Sequence, residues 1–414
     1  MDSSTVVSFP HDLRDPASSR RALLIGDFGN DYNLVIETAS VLRRAGFVVD
    51  LVTNNPVSRK LSSIDRYTFV DNADDVPRVA IELYRDVSYD LVSPIGDATL
   101  MRIVRSSLSD DEKLALLPVT EAQYIHHIGS KIGLSTVFQR EGIRTPRFAV
   151  AHDKAELNEK IEEVGFPAFV KIDFSGAGDG TFECKTRADV DAVGNGIHVW
   201  PVLIQEKIKG YEIDVSAFFQ NGELVSFAYS MIKGTALRKY GPSSLRLYSQ
   251  LGTIDPAIFD EMRRLGRAIG GHGFTNVSVI QGDDGHRYYF EADMRANAWV
   301  NAPRFFGDDP ATRISGYFSN GATMAGPGPV HPEFPDQILI PYFSRIRLWE
   351  LAINRYRSWS YLPDTDTFSV VFAIVNEEIK SMTRALVKPL VPGPLWQRLK
   401  QVYSTALRKL MARS

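Results

Sequence analysis

Three short apolar runs, separated by helical spacing, constrain the fold of this chain most. RALLIGDF (Arg21–Phe28), FVVDLVT (Phe47–Thr53) and YDLVSPIG (Tyr89–Gly96) read as strands with both faces apolar, the pattern of strands buried in a parallel sheet. Between the first two, Val35, Ile36, Ala39, Val41 and Leu42 recur at helical spacing until Gly46, and VPRVAIELYRDV (Val76–Val87) forms a second helix before the third. This alternation predicts a doubly wound α/β domain over residues 21–117, after a flexible lead-in over 1–20. Ligands of such sheets gather at the carboxyl ends of strands, where Gly26-Asp27 and Gly96-Asp97 fall. The turn GDFGND lacks the full GxGxxG fingerprint, so no dinucleotide site is expected there.

The pattern then changes. A helical stretch from about Glu121 to Glu141 closes at Gly142-Ile143 and Pro146. Phe166–Lys185 reads as a strand carrying Lys171, a Gly-rich loop and a return strand, and Val202–Phe219 as a strand, a short connector and a second strand. GELVSFAYSMI is a further strand, Pro256–Gly270 an amphipathic helix, and FTNVSVIQGDDGHRYYFEADMR a hairpin turning at GDDG. Beyond Gly321 the stretch GPGPVHPEFP reads as a linker.

Four pieces carry chemistry. Glu291 and Asp293 alternate at a strand end, so a period of two puts both carboxylates on one face, a seat for Mg²⁺. Arg295, two residues on, is placed to hold a phosphoryl oxygen. SGAGDGT (Ser175–Thr181), with glycines at 176, 178 and 180, lets the backbone approach phosphates closely, and Lys171 among apolar neighbours needs an anionic partner. Gln205-Glu206-Lys207-Ile208 interrupts a strand, freeing backbone groups to read a base edge, and Glu212 can accept ribose hydroxyls. Taken singly, each piece also suits a solvated strand end or an ordinary turn. The adjacent His126 and His127 are read as structural or solvent-facing.

In their order, the lysine, Gly-rich flap, QExxxGxE and terminal E-x-[ND]-x-R resemble the ATP-grasp superfamily over Arg21 to Gly321. The likeness is nearest to the carboxylate–amine ligases and the carbamoyl phosphate synthase large subunit. It implies an α/β chain of the ATP-grasp fold: an N-terminal doubly wound (pre-ATP-grasp) domain and an ATP-grasp domain over 118–325. The latter would comprise a small β-rich lid at about 147–205 and a C-terminal α+β subdomain. A helical C-terminal extension would occupy 326–414. The resemblance further implies that Lys131 and Lys171 are the two nucleotide lysines, and that Gly176, Gly178 and Gly180 form the phosphate flap. Glu206, Lys207 and Ile208 would be the adenine hinge, Glu212 the ribose acceptor, Glu291 and Asp293 the Mg²⁺ (or Mn²⁺) ligands, and Lys171 and Arg295 the catalytic cations.

There are two departures. Asp293 replaces the usual Asn, and Ser278 stands where many relatives place a further acidic or amide ligand, so one metal would be held more weakly, or Asn276 or a water would substitute. The implied activity is an ADP-forming ligase that activates a small carboxylate as an acyl phosphate for attack by an amine or other nucleophile. A non-catalytic ATP-binding regulatory module and an ATP-grasp kinase are the alternatives. Lys233, Arg238, Lys239 and Arg304 are candidates for binding substrate anions, and Asp97 for accepting a substrate amine.

The balance of charges, −3 overall, lacks the basic excess of a general nucleic-acid binder. The single cysteine, Cys184, excludes an intrachain disulfide and a cysteine metal cluster. No signal peptide or transmembrane run is read, so a cytoplasmic enzyme is expected. The tail 395–414 spaces Leu395, Leu399, Val402, Tyr403, Leu407 and Leu410 helically among Arg398, Lys400, Arg408, Lys409 and Arg413. Such a basic amphipathic helix suits an anionic membrane face, a protein partner or packing on its own chain. A second copy of the chain is a further candidate partner.

Overall fold

The computed structural model describes residues 5–8, 20–26, 32–54, 61–176, 180–235, 241 and 243–341. Asp27, Gly178, Arg238, Lys239 and the tail 395–414 lie outside them. No described helix is long and apolar enough to cross a membrane.

The first sheet comprises β1 (Thr5–Ser8), β2 (Arg21–Gly26), β3 (Val48–Thr53), β4 (Arg66–Phe69) and β5 (Leu91–Ile95), in the order β1-β4-β3-β2-β5. β2 pairs in parallel with β3 and β5, and β3 with β4. The crossovers are α1 (Tyr32–Arg44) and α2 (Val76–Asp86). From Ala22 to Ile25 the strand β2 is fully buried on both faces, which is why it reads as a continuous apolar run rather than an alternating one. Thr5–Ser8, inside the expected lead-in, runs antiparallel to β4. An open sheet edge offers unpaired N–H and C=O groups that even four extended residues can satisfy.

Strand order reverses at β2, so the sheet's ligand crevice opens at the carboxyl ends of β2 and β5. Gly96, at a φ of 82° that a side chain would strain, turns β5 directly into α3 (Asp97–Arg105). Asp97 is thereby set at the crevice. α4 (Asp110–Leu116) follows, with Ser109 and Glu112 forming a capping box. The helix expected over 121–141 is broken. A 3₁₀ segment, Ala122–His127, ends at Gly129 (φ 71°), and Ser130 caps α5 (Lys131–Arg140).

The stretch expected to form the lid holds β6 (Phe148–Ala151), α6 (Lys154–Val164), β7 (Ala168–Ile172), β8 (Thr181–Cys184), α7 (Arg187–Gly196) and β9 (Val202–Glu206). Its four strands are antiparallel in the order β6-β9-β7-β8. Leu157, Ile161, Val170, Cys184, Val190 and Ile204 make its own small core.

A six-stranded antiparallel sheet follows: β10 (Gly210–Gln220), β11 (Glu223–Thr235), β12 (Ser243–Ser249), then α8 (Ala257–Ala268), β13 (Gly273–Gly282) and β14 (Arg287–Asp293). α9 (Pro310–Asn320) precedes β15 (Gln337–Pro341), and the sheet order is β14-β13-β10-β11-β12-β15. One face is apolar. Ile213, Val215 and Phe219 of β10 and Val277 and Val279 of β13 join Met262 and Leu265 of α8 in a core that continues through Leu100, Ile103 and Leu116 of the first domain. Each such aliphatic side chain contributes about 1.5–3 kcal/mol by leaving water, and their continuity fixes the first domain against the large sheet.

The boundary expected at 325 falls within this unit. Gln250 Nε2 donates to the carbonyls of His331, Phe334 and Pro335 (3.0–3.1 Å), so the presumed linker is pinned before β15 pairs with β12. Gly and Pro make that stretch irregular, but a side chain 80 residues earlier satisfies its carbonyls, which local composition does not reveal.

Candidate active site

The opposite face of the large sheet is polar. Glu291 lies opposite Ser278, Ser278 opposite Asp214, Asp214 opposite Ser230 and Ser230 opposite Tyr248, while Asp293 lies opposite Asn276 and Asn276 opposite Ser216. Directly opposed residues share a face, so the alternation read at Glu291 and Asp293 extends across five strands. The β13–β14 register shifts beside Val279, leaving Phe290 as an extra residue. Such a bulge re-aims a side chain, and Phe290 lies 5.0 Å from Lys171 Nζ.

Lys171, on β7 of the lid, is 8% exposed, donates to Gln205 Oε1 (2.6 Å) and also faces the Phe169 ring. Burial lowers its pKa to about 8, with Glu291 opposing the shift, Lys131 adding to it and Glu212 opposing it. Among the described residues Gln205 Nε2 is buried without a hydrogen-bond partner, so there this corner holds one unmatched donor and one ammonium that lacks a paired carboxylate.

Lys131 opens α5 and folds back on the base of the flap. Its Nζ donates to the Asp173 carbonyl (3.1 Å), to Ser175 Oγ (3.2 Å) and to the Ser175 carbonyl. Asp173, which the sequence reading missed, secures this arrangement. Its buried carboxylate accepts from Ser130 Oγ (3.0 Å) and Ile132 N (2.8 Å), capping the helix from outside. Its signal was available: it lies two residues after Lys171, hence on the same side of an extended chain. Gly180 (φ 71°) accepts from Ile172 N at 2.8 Å, closing the flap's base.

At the hinge, the N–H groups of Glu206 and Lys207 donate to the carbonyls of Arg147 (2.8 Å) and Pro167 (3.1 Å). Ile208 N–H has no partner among the described residues. The Glu206 carboxylate pairs with Arg147, and Lys207 Nζ with Glu183 (2.6 Å), so both side chains brace the lid. Half-buried Glu212 is pushed up to about 7, by burial first and then by Asp214 and Glu291.

Burial also raises the Asp293 carboxyl well above the usual range. Arg295 opposes this, while Glu291, Asp97 and Asp214 reinforce it. The set is therefore short of positive charge, which a hard divalent cation would supply. Among the described residues no three or more His, Cys, Asp or Glu side chains are arranged around a metal position. Two carboxylates plus phosphate oxygens and water is a donor set that suits Mg²⁺.

Beside the carboxylates lies a buried ion pair absent from the sequence reading. Arg246 grips Asp214 through both nitrogens (2.7 and 2.9 Å) and lies over the Trp299 ring. Asn297 Nδ2 donates to Ser216 Oγ (2.7 Å), and the Asn276 amide nitrogen donates to Asp214 Oδ1 (2.6 Å). Asn276 is thus engaged in this network. Lys233 is exposed at the end of β11. Arg304 adjoins Phe305, its guanidinium 4.6 Å from the ring. His126 is exposed and His127 buried against the Ile269 carbonyl (2.9 Å).

Residues 130–234 match the RimK-like ATP-grasp domain. Among curated proteins, D-alanine–D-alanine ligase B of Clostridium perfringens is 29% identical over 170 residues, 38% of this chain and 54% of that one. The carbamoyl phosphate synthase large chain of Deinococcus radiodurans is 24% identical over 298 residues, 68% of this chain and 28% of the relative. The chain thus spans about half or less of the length of these relatives. Among solved structures, N5-carboxyaminoimidazole synthetase from Staphylococcus aureus complexed with ADP superposes with a TM-score of 0.59 at 13% identity, covering 82% of this chain and 86% of the other.

Proposed function

We propose that this chain, which has the ATP-grasp fold, is an ADP-forming ligase that activates a small carboxylate as an acyl phosphate for attack by an amine or other nucleophile. The observation that carries the reading is the approach of Lys171 to Phe290, beside Glu291, and of Gly176 at the flap base to Asp97, which holds Arg295. The likeness to D-alanine–D-alanine ligase B and to the carbamoyl phosphate synthase large chain supports it.

ATP would lie between the lid and the large sheet. Ile208 N–H reads the adenine edge, Glu212 accepts the ribose hydroxyls, and Lys171 and Lys131 meet the phosphates, Lys131 leaving the flap carbonyls to do so. Gln205 Nε2 gains a partner in the same event. Glu291 and Asp293 would hold the divalent cation, Mg²⁺ or Mn²⁺, which would neutralise phosphate charge for the approach of the substrate carboxylate. Arg295 stabilises charge on the transferring phosphoryl group, and the flap excludes water that would hydrolyse the acyl phosphate. The carboxylate oxygen forms the new bond to phosphorus as the bond to ADP breaks. The nucleophile then displaces phosphate at carbon. The reading carries a cytoplasmic location and small-molecule partners.

Purified protein with ATP, Mg²⁺ and pools of amino acids and small carboxylates should release ADP and free phosphate, and Glu291→Gln should not. Pool-dependent ADP without free phosphate would make it a kinase, and ATP binding without turnover in any pool would leave either a substrate outside the pools or a regulatory module. Lys171→Ala should lose about 10²-fold or more in rate. Near-wild-type activity in both variants would remove the assignment.

A further inference from the structure

The guanidinium of Arg295 is held from two domains at once. Nε donates to Asp97 Oδ1 at 2.6 Å and Nη2 to Asp97 Oδ2 at 2.8 Å, a fork-on-fork pairing, while Nη2 also reaches Asp293 Oδ2 at 3.0 Å. Nη1 donates to the Ala296 carbonyl at 3.3 Å. Asp97 belongs to the first domain, 198 residues away in sequence. Thr99, Leu100 and Ile103 bury the helix that it opens. The flap adjoins the same point, since a Cβ on Gly176 would come within 3.8 Å of Asp97 Oδ2. The proposed reaction gives Asp97 no task, and Arg295 occupies one acceptor site on each oxygen of the carboxylate that the sequence offered to a substrate amine.

Resting on the ligase reading, we infer that Asp97 is a positioning residue, which fixes the plane of the Arg295 guanidinium for the transferring phosphoryl group and gives way on the fork as phosphoryl oxygens arrive. A bidentate carboxylate removes the rotational freedom of a long side chain before substrate binds. The same carboxylate competes with a ground-state phosphate for the fork. Neutralising Asp97 should therefore move binding and chemistry in opposite directions. A structural role alone would lower stability without that split, and a direct hold on a substrate ammonium would raise KM for the amine.

The test is a double-mutant cycle in the full-length chain with Asp97→Asn, Arg295→Lys and both together. The Kd of the Mg²⁺ complex of a non-hydrolysable ATP analogue is measured for each, with kcat where a substrate pool gives turnover. Asp97→Asn should bind the analogue about fivefold tighter and turn over about tenfold more slowly or worse. Asp97→Glu should recover part of kcat. In the Arg295→Lys background the Asp97 change should add nothing to either quantity. Equal effects in both backgrounds, or analogue binding that is unchanged or weaker in Asp97→Asn, would overturn the inference. No turnover by the wild type in any pool would count against the ligase reading alone. The binding cycle would then decide on Asp97 by itself, with coupling supporting the inference and additivity rejecting it.

Discussion

Lys171 gives the sharpest quantitative expectation. Its ammonium is 8% exposed, donates to a neutral amide at 2.6 Å and lies between two aromatic rings. Burial brings its pKa to about 8. At pH 7 about nine in ten molecules carry the charge that meets phosphate, and at pH 9 about one in ten. Bound nucleotide restores the proton, so the Kd for the Mg²⁺–nucleotide complex should rise about tenfold between pH 7 and 9, roughly 1.4 kcal/mol, with close to one proton taken up per binding event at pH 9. Titration calorimetry in two buffers of different ionisation enthalpy reads both quantities. Lys171→Arg, charged throughout, should flatten the profile even if it binds more weakly overall. Stability should run the other way. The folded value lies below the ordinary 10.5, so between about pH 8 and 10.5 the unfolded chain binds more protons, and the nucleotide-free protein gains stability as pH rises through that window. A wild-type Kd constant from pH 7 to 9, or the same decline in Lys171→Arg, would refute this reasoning.

Other expectations follow from the same geometry. Glu212, pushed up to about 7, should weaken nucleotide binding as pH falls through 7, and Glu212→Gln should remove that step from the Kd profile. Asp173→Ala removes the outer cap of α5 and its hold beside Lys131. It should cost about 1–2 kcal/mol in a denaturant titration and raise the nucleotide Kd. Arg246→Met leaves Asp214 buried and unpaired and should cost about 3–5 kcal/mol, most of it recovered in the double variant Asp214→Leu/Arg246→Met, as calorimetric unfolding can check. Gly210→Ala would drive a methyl to 2.0 Å from the Gln281 carbonyl, so it should displace the hinge and abolish nucleotide binding in an equilibrium assay.

Whatever depends on neighbours along the chain was legible before folding. Parallel strands showed as unbroken apolar runs because both their faces are buried. A period of two placed Glu291 and Asp293 on one face, and their strand does present both beside Ser278 and Asn276. The strand, flap and return strand around Lys171 were legible for the same local reason. Folding alone decided which charge meets which. Asp97 joins Arg295 across 198 residues, Asp173 caps a helix 41 residues upstream, and Gln250 holds carbonyls more than 80 residues later. Alternation says which face a side chain takes, but the strand or helix opposite that face is set by register and by the packing of whole domains. Asp214 shows the limit. Its position two residues after Glu212 told its face, yet only the pairing of β10 with β11 and of β11 with β12 brought Arg246 onto it and turned a costly buried charge into a satisfied one.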